Sequence, residues 1–181
     1  MNKMTDDIEE ILYSEEQIQQ RIKELAGQVS KDYRGKELCI ITILRGAAMF
    51  LADLTRMLED INFTIDFIVL SRGKGEPGEV KIIKDLDHPI YHRHVLIVED
   101  MIDIGESLNY FIEVLKLREP ASVRICTLFE KPYNRILPVK QSDYTGFVLP
   151  DRFVVGYGLD YRQKYRNLPF VGSLKQNLSP Y

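Results

Sequence analysis

Between residues 94 and 118 the chain reads HVLIVEDMIDIGESLNYFIEVLKLR, an apolar run, an acidic loop and an amphipathic segment in direct succession. Glu99, Asp100 and Asp103 bring three carboxylates onto one loop. Such groups accept hydrogen bonds from sugar hydroxyls, order hydrated Mg²⁺ or take a proton. Gly105 lets backbone approach a ligand closely, and Ser107 can cap the helix that follows. The first turn of a helix carries unpaired N–H groups and a partial positive charge, so a phosphate fits there. The loop thus offers places for a sugar and for its phosphate.

The elements that must hold this loop follow from hydrophobic spacing. Val95–Val98 is a short β-branched-rich run without alternation, as expected of a parallel strand covered on both faces, and Glu99 and Asp100 are expected to end it. Leu108, Phe111, Ile112 and Leu115 recur at helical spacing. Upstream, Ser14 followed by Glu15, Glu16 and Gln17 resembles a capping box, and Ile18, Ile22, Leu25 and Val29 continue the helix toward Gly35. Residues 38–44 read as a buried strand, Arg45–Gly46 as a tight turn, and 47–60 as a helix packing through Phe50, Leu51, Leu54 and Leu58.

Strand character returns at 63–70, 80–84, 122–129, 145–149 and 153–158, with a Gly-, Pro- and charge-rich loop expected to be exposed and mobile at 71–79. Strands alternating with helices predict an α/β fold with a doubly wound, mainly parallel sheet. In such sheets ligands bind beyond the carboxyl ends of the strands, so Arg45, Ser71, Glu99–Ser107 and Lys131 should converge on one rim. The less regular stretch from about 144 to 181, with Phe153, Asp160 and Arg166, is expected to fold over that rim as a hood.

With 181 residues, 45% of them hydrophobic and 28% charged, the chain suits a single domain spanning 1–181. A net charge of −3 argues against a generic nucleic-acid binder, while leaving room for a locally positive anion site. The Lys31–Lys36 stretch, KDYRGK, reads as a solvated helix end rather than a nucleic-acid patch. Cys39 and Cys126 sit in apolar runs, which points to buried thiols in a reducing compartment. The beginning of the chain lacks the apolar core of a signal peptide and no run is long enough to span a membrane, so a cytoplasmic protein is expected. His88, His92 and His94 have Pro89 in their spacing and no cysteine nearby, which argues against a zinc site.

VLIVEDMIDIGESL resembles the phosphoribosyl-pyrophosphate (PRPP) motif of type I phosphoribosyltransferases. The match continues through Arg45–Gly46, the Ser71 loop, EKP at 130–132 and PDRFVVGYGLDYRQKYRNLP at 150–169, which together resemble hypoxanthine-guanine phosphoribosyltransferases. That resemblance implies purine salvage: Mg²⁺-dependent transfer of the 5-phosphoribosyl group from PRPP to N9 of a 6-oxopurine, hypoxanthine or guanine. The products would be IMP or GMP and pyrophosphate, made by a homodimer or homotetramer.

The resemblance also implies roles. Glu99 and Asp100 match the residues that bind the ribose hydroxyls and metal, and Asp103 matches the general base near purine N7. Asp103, Ile104, Gly105, Glu106 and Ser107 match the 5′-phosphate cradle. Lys131 would donate to the 6-oxo group, Phe153 would stack on the ring and the Val154 backbone would read the base edge. Asp160 matches a Mg²⁺ ligand beside the purine, Arg45, Gly46 and Arg166 lie where pyrophosphate is held, and Ser71 and Arg72 belong to the closing loop.

Two positions depart from the family pattern. Ile104 replaces the usual threonine after the aspartate, and Arg72 replaces the tyrosine after the serine. Losing one neutral hydrogen bond costs about 0.5–1.5 kcal/mol, so weakened or altered PRPP binding is expected before loss of activity. Arg72 could instead add a phosphate contact. Two other readings remain open at the level of sequence: a PRPP- or nucleotide-sensing regulator on the same fold that contacts nucleic acid, and transfer to xanthine or a pyrimidine.

Overall fold

The structure is a computed structural model that describes residues 4–72, 80–134 and 141–178, so most of the expected loop at 71–79 lies outside the described residues. Six strands form the large sheet: β2 (Glu37–Ile43), β3 (Asn62–Arg72), β4 (Val80–Lys84), β5 (His94–Ile102), β6 (Ser122–Glu130) and β7 (Tyr144–Val148). Their order is β4-β3-β2-β5-β6-β7, parallel throughout except for the β3–β4 pair.

Helices cover both faces, which explains the apolar runs without alternation. Leu38, Ile40, Leu96 and Val98 pack against α1 (Glu15–Tyr33) and α2 (Ala48–Arg56) through Ile18, Leu25, Phe50 and Leu54. The intervening Cys39, Ile41, Val95 and Ile97 face α3 (Glu106–Lys116) through Phe111, Ile112 and Leu115. Successive strand residues point to opposite faces, so a strand between two helical layers must be apolar at every position. Cys39 and Cys126 are buried free thiols, and burial pushes both up from the ordinary thiol range.

α1 begins with the predicted capping box: the Ser14 Oγ accepts from the Gln17 N–H at 3.3 Å and the Gln17 Oε1 accepts from the Ser14 N–H at 2.8 Å. α2 ends at Arg56 rather than Asp60, although Leu58 still packs on the core.

Three expectations about the strands are corrected. β5 does not stop before Glu99 but runs to Ile102, because ladder pairing with β6 continues through Glu99–Thr127, Met101–Phe129 and Ile102–Glu130. Glu99 and Asp100 therefore lie in a strand, and only Asp103 lies in the loop. β3 similarly takes in Ser71 and Arg72, which pair with Lys81 and Val80 of β4.

The third correction concerns the hood. Tyr144–Val148 is an edge strand of the large sheet, paired with β6. A separate antiparallel sheet, ordered β1-β9-β8, joins β1 (Ile8–Tyr13) to β8 (Val154–Val155) and β9 (Val171–Leu174). It unites the two ends of the described chain. IEEILY carries no clean period-2 pattern, and only its distant partner β9 makes it a strand.

Candidate active site

Parallel strands deliver their following loops to one edge of a sheet. Arg45–Gly46 leaves β2, Asp103–Gly105 leaves β5 and Lys131 leaves β6. Two backbone bonds fix the exits: Leu44 N–H to Ile68 O at 2.9 Å, and Lys131 N–H to Ile102 O at 2.9 Å. The Leu44–Arg45 peptide bond is cis. Gly46 lies so close to Asp100 that a Cβ would sit 1.8 Å from the Asp100 Oδ2, so a side chain there would displace the carboxylate.

The helix start differs from the expected serine cap. Gly105, at φ 82°, is the residue that turns the chain into α3, and Ser107 lies inside the first turn. Glycine takes that left-handed backbone without the cost a Cβ would bring. Asp103 to Ser107, with Ile43, Glu99, Met101, Ile102 and Leu108, line a cavity of about 200 Å³. First-turn N–H groups of a helix have no intrahelical partners and suit a phosphate. Ile104 adds hydrocarbon to this wall while leaving its backbone N–H in the loop.

Electrostatically the edge of β5 is costly. Burial, reinforced by the neighbouring Asp100 charge, raises the Glu99 carboxyl well above the ordinary range. Burial also lifts Asp100 from 3.8 to about 6, against the pull of the Met101 N–H and the Arg166 charge. The Asp103 Oδ1 is buried without a hydrogen-bond partner. Lys131 is only 5% exposed; burial lowers its pKa, while Asp103 and Asp151 act in the opposite direction. Its Nζ donates to the Arg152 carbonyl at 2.5 Å.

The late segment closes the other side. Arg166 pairs with the Asp160 Oδ1 at 2.6 Å and donates to the Gly158 carbonyl at 2.6 Å. Gln163, which the sequence reading assigned no role, accepts at Oε1 from Arg45 at 3.1 Å and from Arg166 at 3.5 Å. Both arginines thus share one neutral acceptor. The only signal for Gln163 in the sequence was its place between Asp160 and Arg166.

Phe153 meets Tyr161 edge-on with centroids 5.4 Å apart, and the buried Val154 pairs with Ser173 in the small sheet. Ser71 is exposed at the carboxyl end of β3, opposite Lys81 on β4, so this residue expected in the closing loop belongs to the sheet instead.

Glu99, Asp100 and Asp160 supply hard oxygen donors but no closed cage: among the described residues no group of three His, Cys, Asp or Glu side chains could hold a metal alone. That donor set fits Mg²⁺, which keeps several waters and commonly binds through one or two carboxylates plus substrate phosphates. Among the described residues no helix is long and apolar enough to cross a membrane.

A raised folded-state pKa means that the native state holds protons the unfolded chain has released. For Asp100 the associated stability is present below the unfolded value near 3.8 and is lost as pH rises through about 6. The ligand-free Asp100→Asn variant should therefore gain stability over the parent as pH rises across that window, by about 1–3 kcal/mol at pH 7. Urea unfolding at pH 4, 5, 6 and 7 measures it, and a difference independent of pH would contradict the assignment.

Comparison with known proteins places this geometry. Residues 9–162 match the family model for the phosphoribosyl transferase domain. Over 174 residues the chain is 44% identical to a hypoxanthine-guanine phosphoribosyltransferase of Streptococcus mutans, covering 94% of this chain and 96% of that relative. It is 43% identical over 178 residues to a bifunctional protein TilS/HprT of Listeria innocua, covering 97% of this chain but 27% of the relative, so it spans about a quarter of that protein's length. The crystal structure of a hypoxanthine phosphoribosyltransferase from Staphylococcus aureus superposes with a TM-score of 0.92 at 45% identity, covering 98% of this chain and 99% of the other. A parallel sheet whose carboxyl edge gathers an acid pair, a glycine-led helix start and two arginines, together with these matches, makes the chain a member of the phosphoribosyltransferase family, with the type I fold.

Proposed function

We propose that this enzyme transfers the 5-phosphoribosyl group from PRPP to N9 of hypoxanthine or guanine, giving IMP or GMP and pyrophosphate in purine salvage. The observation that carries the reading is the buried Lys131 ammonium in the field of Asp103, whose Oδ1 has no partner, next to the acid pair of β5. A lysine and a carboxylate so disposed suit a base that presents an acceptor at C6 and a nitrogen at N7.

Lys131 has three donors, and the Arg152 carbonyl uses one. The remaining N–H groups favour a 6-oxo acceptor and give the 6-amino group of adenine nothing to donate to. Asp103 holds or takes the proton at the five-membered ring of the base. Phe153 stacks on the ring, and the backbone of Val154 reads its edge. At the sugar, Glu99 and Asp100 accept from the ribose hydroxyls, and their negative charge stabilises C1 as it becomes cation-like.

The helix start from Asp103 to Ser107 holds the 5′-phosphate, with Ile104 contributing backbone alone. Arg45, beside Gly46, and Arg166 hold the departing pyrophosphate in place of Gln163, since a guanidinium binds phosphate in a fork that an amide carbonyl cannot match. Bound Mg²⁺, held by Asp160 and the Glu99–Asp100 pair with substrate oxygens, would neutralise charge on the pyrophosphate. Ser71 and Arg72 lead into the loop assigned to closure over the site, whose residues 73–79 lie outside the described residues.

The proposed working form is a cytoplasmic homodimer or homotetramer, which a fully active monomer in gel filtration would contradict. Pyrophosphate release from PRPP and Mg²⁺ should occur with hypoxanthine or guanine and not with adenine or without a base, and a chelator should abolish it. Asp103→Asn should lower turnover about 100-fold or more while PRPP still binds. Release with adenine alone would refute the base assignment. PRPP binding without turnover on any base would refute the enzymatic reading and favour the regulator.

A further inference from the structure

The loop that carries Asp160 and Arg166 is set by an unusual turn. Gly156, Tyr157 and Gly158 all have positive φ, at 101°, 47° and 93°. The two glycines are required by their surroundings: a Cβ on Gly156 would sit 2.0 Å from the Phe170 carbonyl oxygen, and one on Gly158 would sit 2.2 Å from the Gly46 carbonyl oxygen. Gly158 is thus a backbone contact between this loop and the Arg45–Gly46 loop, beside the Arg45–Gln163 hydrogen bond. Gly158 also gives its N–H to the Arg166 carbonyl at 2.9 Å and takes the Arg166 guanidinium at 2.6 Å.

Tyr157, the non-glycine residue in the turn, occupies left-handed backbone that disfavours a side chain. Its ring is buried, and its Oη donates to the Asp53 Oδ2 on α2, the helix that begins just after Gly46. The same carboxylate accepts from Gln19 of α1 at 2.9 Å and from Arg56. Burial opposes ionisation of Asp53, but these three donors outweigh it and hold the carboxyl low. Burial and the facing carboxylate push the Tyr157 hydroxyl up, so it remains a donor.

We infer that the Tyr157–Asp53 hydrogen bond is a positioning contact for the pyrophosphate side of the site, holding the Asp160–Arg166 loop in register with the Arg45–Gly46 loop. The inference rests on the proposed phosphoribosyl transfer and deepens it: neither residue touches substrate, and both act through Gly158 and Arg166. Losing the bond should free the turn to relax from its left-handed conformation, and Arg166 would shift away from Arg45. The purine side, built on Lys131 and β8, should be unaffected.

The test is the steady-state kinetics of Tyr157→Phe, which keeps the ring and removes only the hydroxyl. The KM for PRPP should rise about tenfold, the size expected for loss of a hydrogen bond to a charged acceptor, while the KM for the base stays within about twofold. Asp53→Asn, which keeps an acceptor oxygen, should fall between the parent and Asp53→Ala. The double variant Tyr157→Phe/Asp53→Ala should be no worse than Asp53→Ala alone. Hydrogen exchange supplies a second readout independent of turnover: the Gly158 and Gln163 amides should exchange faster in Tyr157→Phe, and those of β5 should not.

If the parent enzyme turns over a 6-oxopurine and Tyr157→Phe leaves the PRPP KM unchanged, or raises both KM values alike, the positioning role is overturned and the reaction stands. A parent with no turnover on any base overturns the reaction, and unchanged exchange at Gly158 and Gln163 overturns the contact itself.

Discussion

Two adjacent carboxylates near the end of β5, Glu99 buried and Asp100 half-buried, are the constraint around which the rest of the molecule is arranged. Ionising Glu99 and Asp100 there is unfavourable because burial removes hydration from both, and the Asp100 charge further opposes that of Glu99. The β5–β6 ladder that carries the pair runs through Ile102 on backbone bonds, which do not depend on a carboxylate at either position. A fold selected for stability alone would place apolar or amide groups there. Under the proposed reaction, ribose hydroxyls and a cation would complete the pair, and its electrostatic strain would be kept for function.

The sheet topology makes such a site possible. Parallel strands send β2, β5 and β6 into loops on the same edge, so residues far apart in sequence become neighbours. The close approaches are then made by glycine: Gly46 against the Asp100 carboxylate, and Gly158 against Gly46. These contacts bring Arg166 and Asp160 to the acid pair, and Arg166 partly offsets its charge: it lowers the Asp100 pKa, although Asp160 raises it. The cationic side and the anionic side of the edge therefore depend on each other's position.

Much of this was legible in the sequence because the signals were local. Uninterrupted apolar runs announced strands covered on both faces, the Ser14–Gln17 pair announced the start of α1, and the order of elements announced the sheet. The misreadings share a cause. Glu99 and Asp100 looked like a strand terminus because side-chain character was taken to mark the end, whereas the backbone ladder with β6 sets it. Ser107 looked like a cap, yet Gly105 alone turns the chain, since a left-handed backbone needs no capping side chain. β1 was invisible because its partner lies at the other end of the chain, and the Tyr157–Asp53 contact was invisible for the same reason. Long-range pairing leaves no period in a single sequence.

The claim that the acid pair is kept for function against the preference of the fold is tested most directly on the double variant Glu99→Gln/Asp100→Asn. Its thermal midpoint without ligands and its kcat/KM for PRPP should be measured on the same preparation at pH 7. The account predicts opposite movements: a higher midpoint, because two carboxyls whose ionisation burial disfavours are gone, and a kcat/KM lower by about 100-fold or more, because groups proposed to stabilise the transition state are gone. A variant that is less stable, or one that turns over PRPP as fast as the parent, would contradict it.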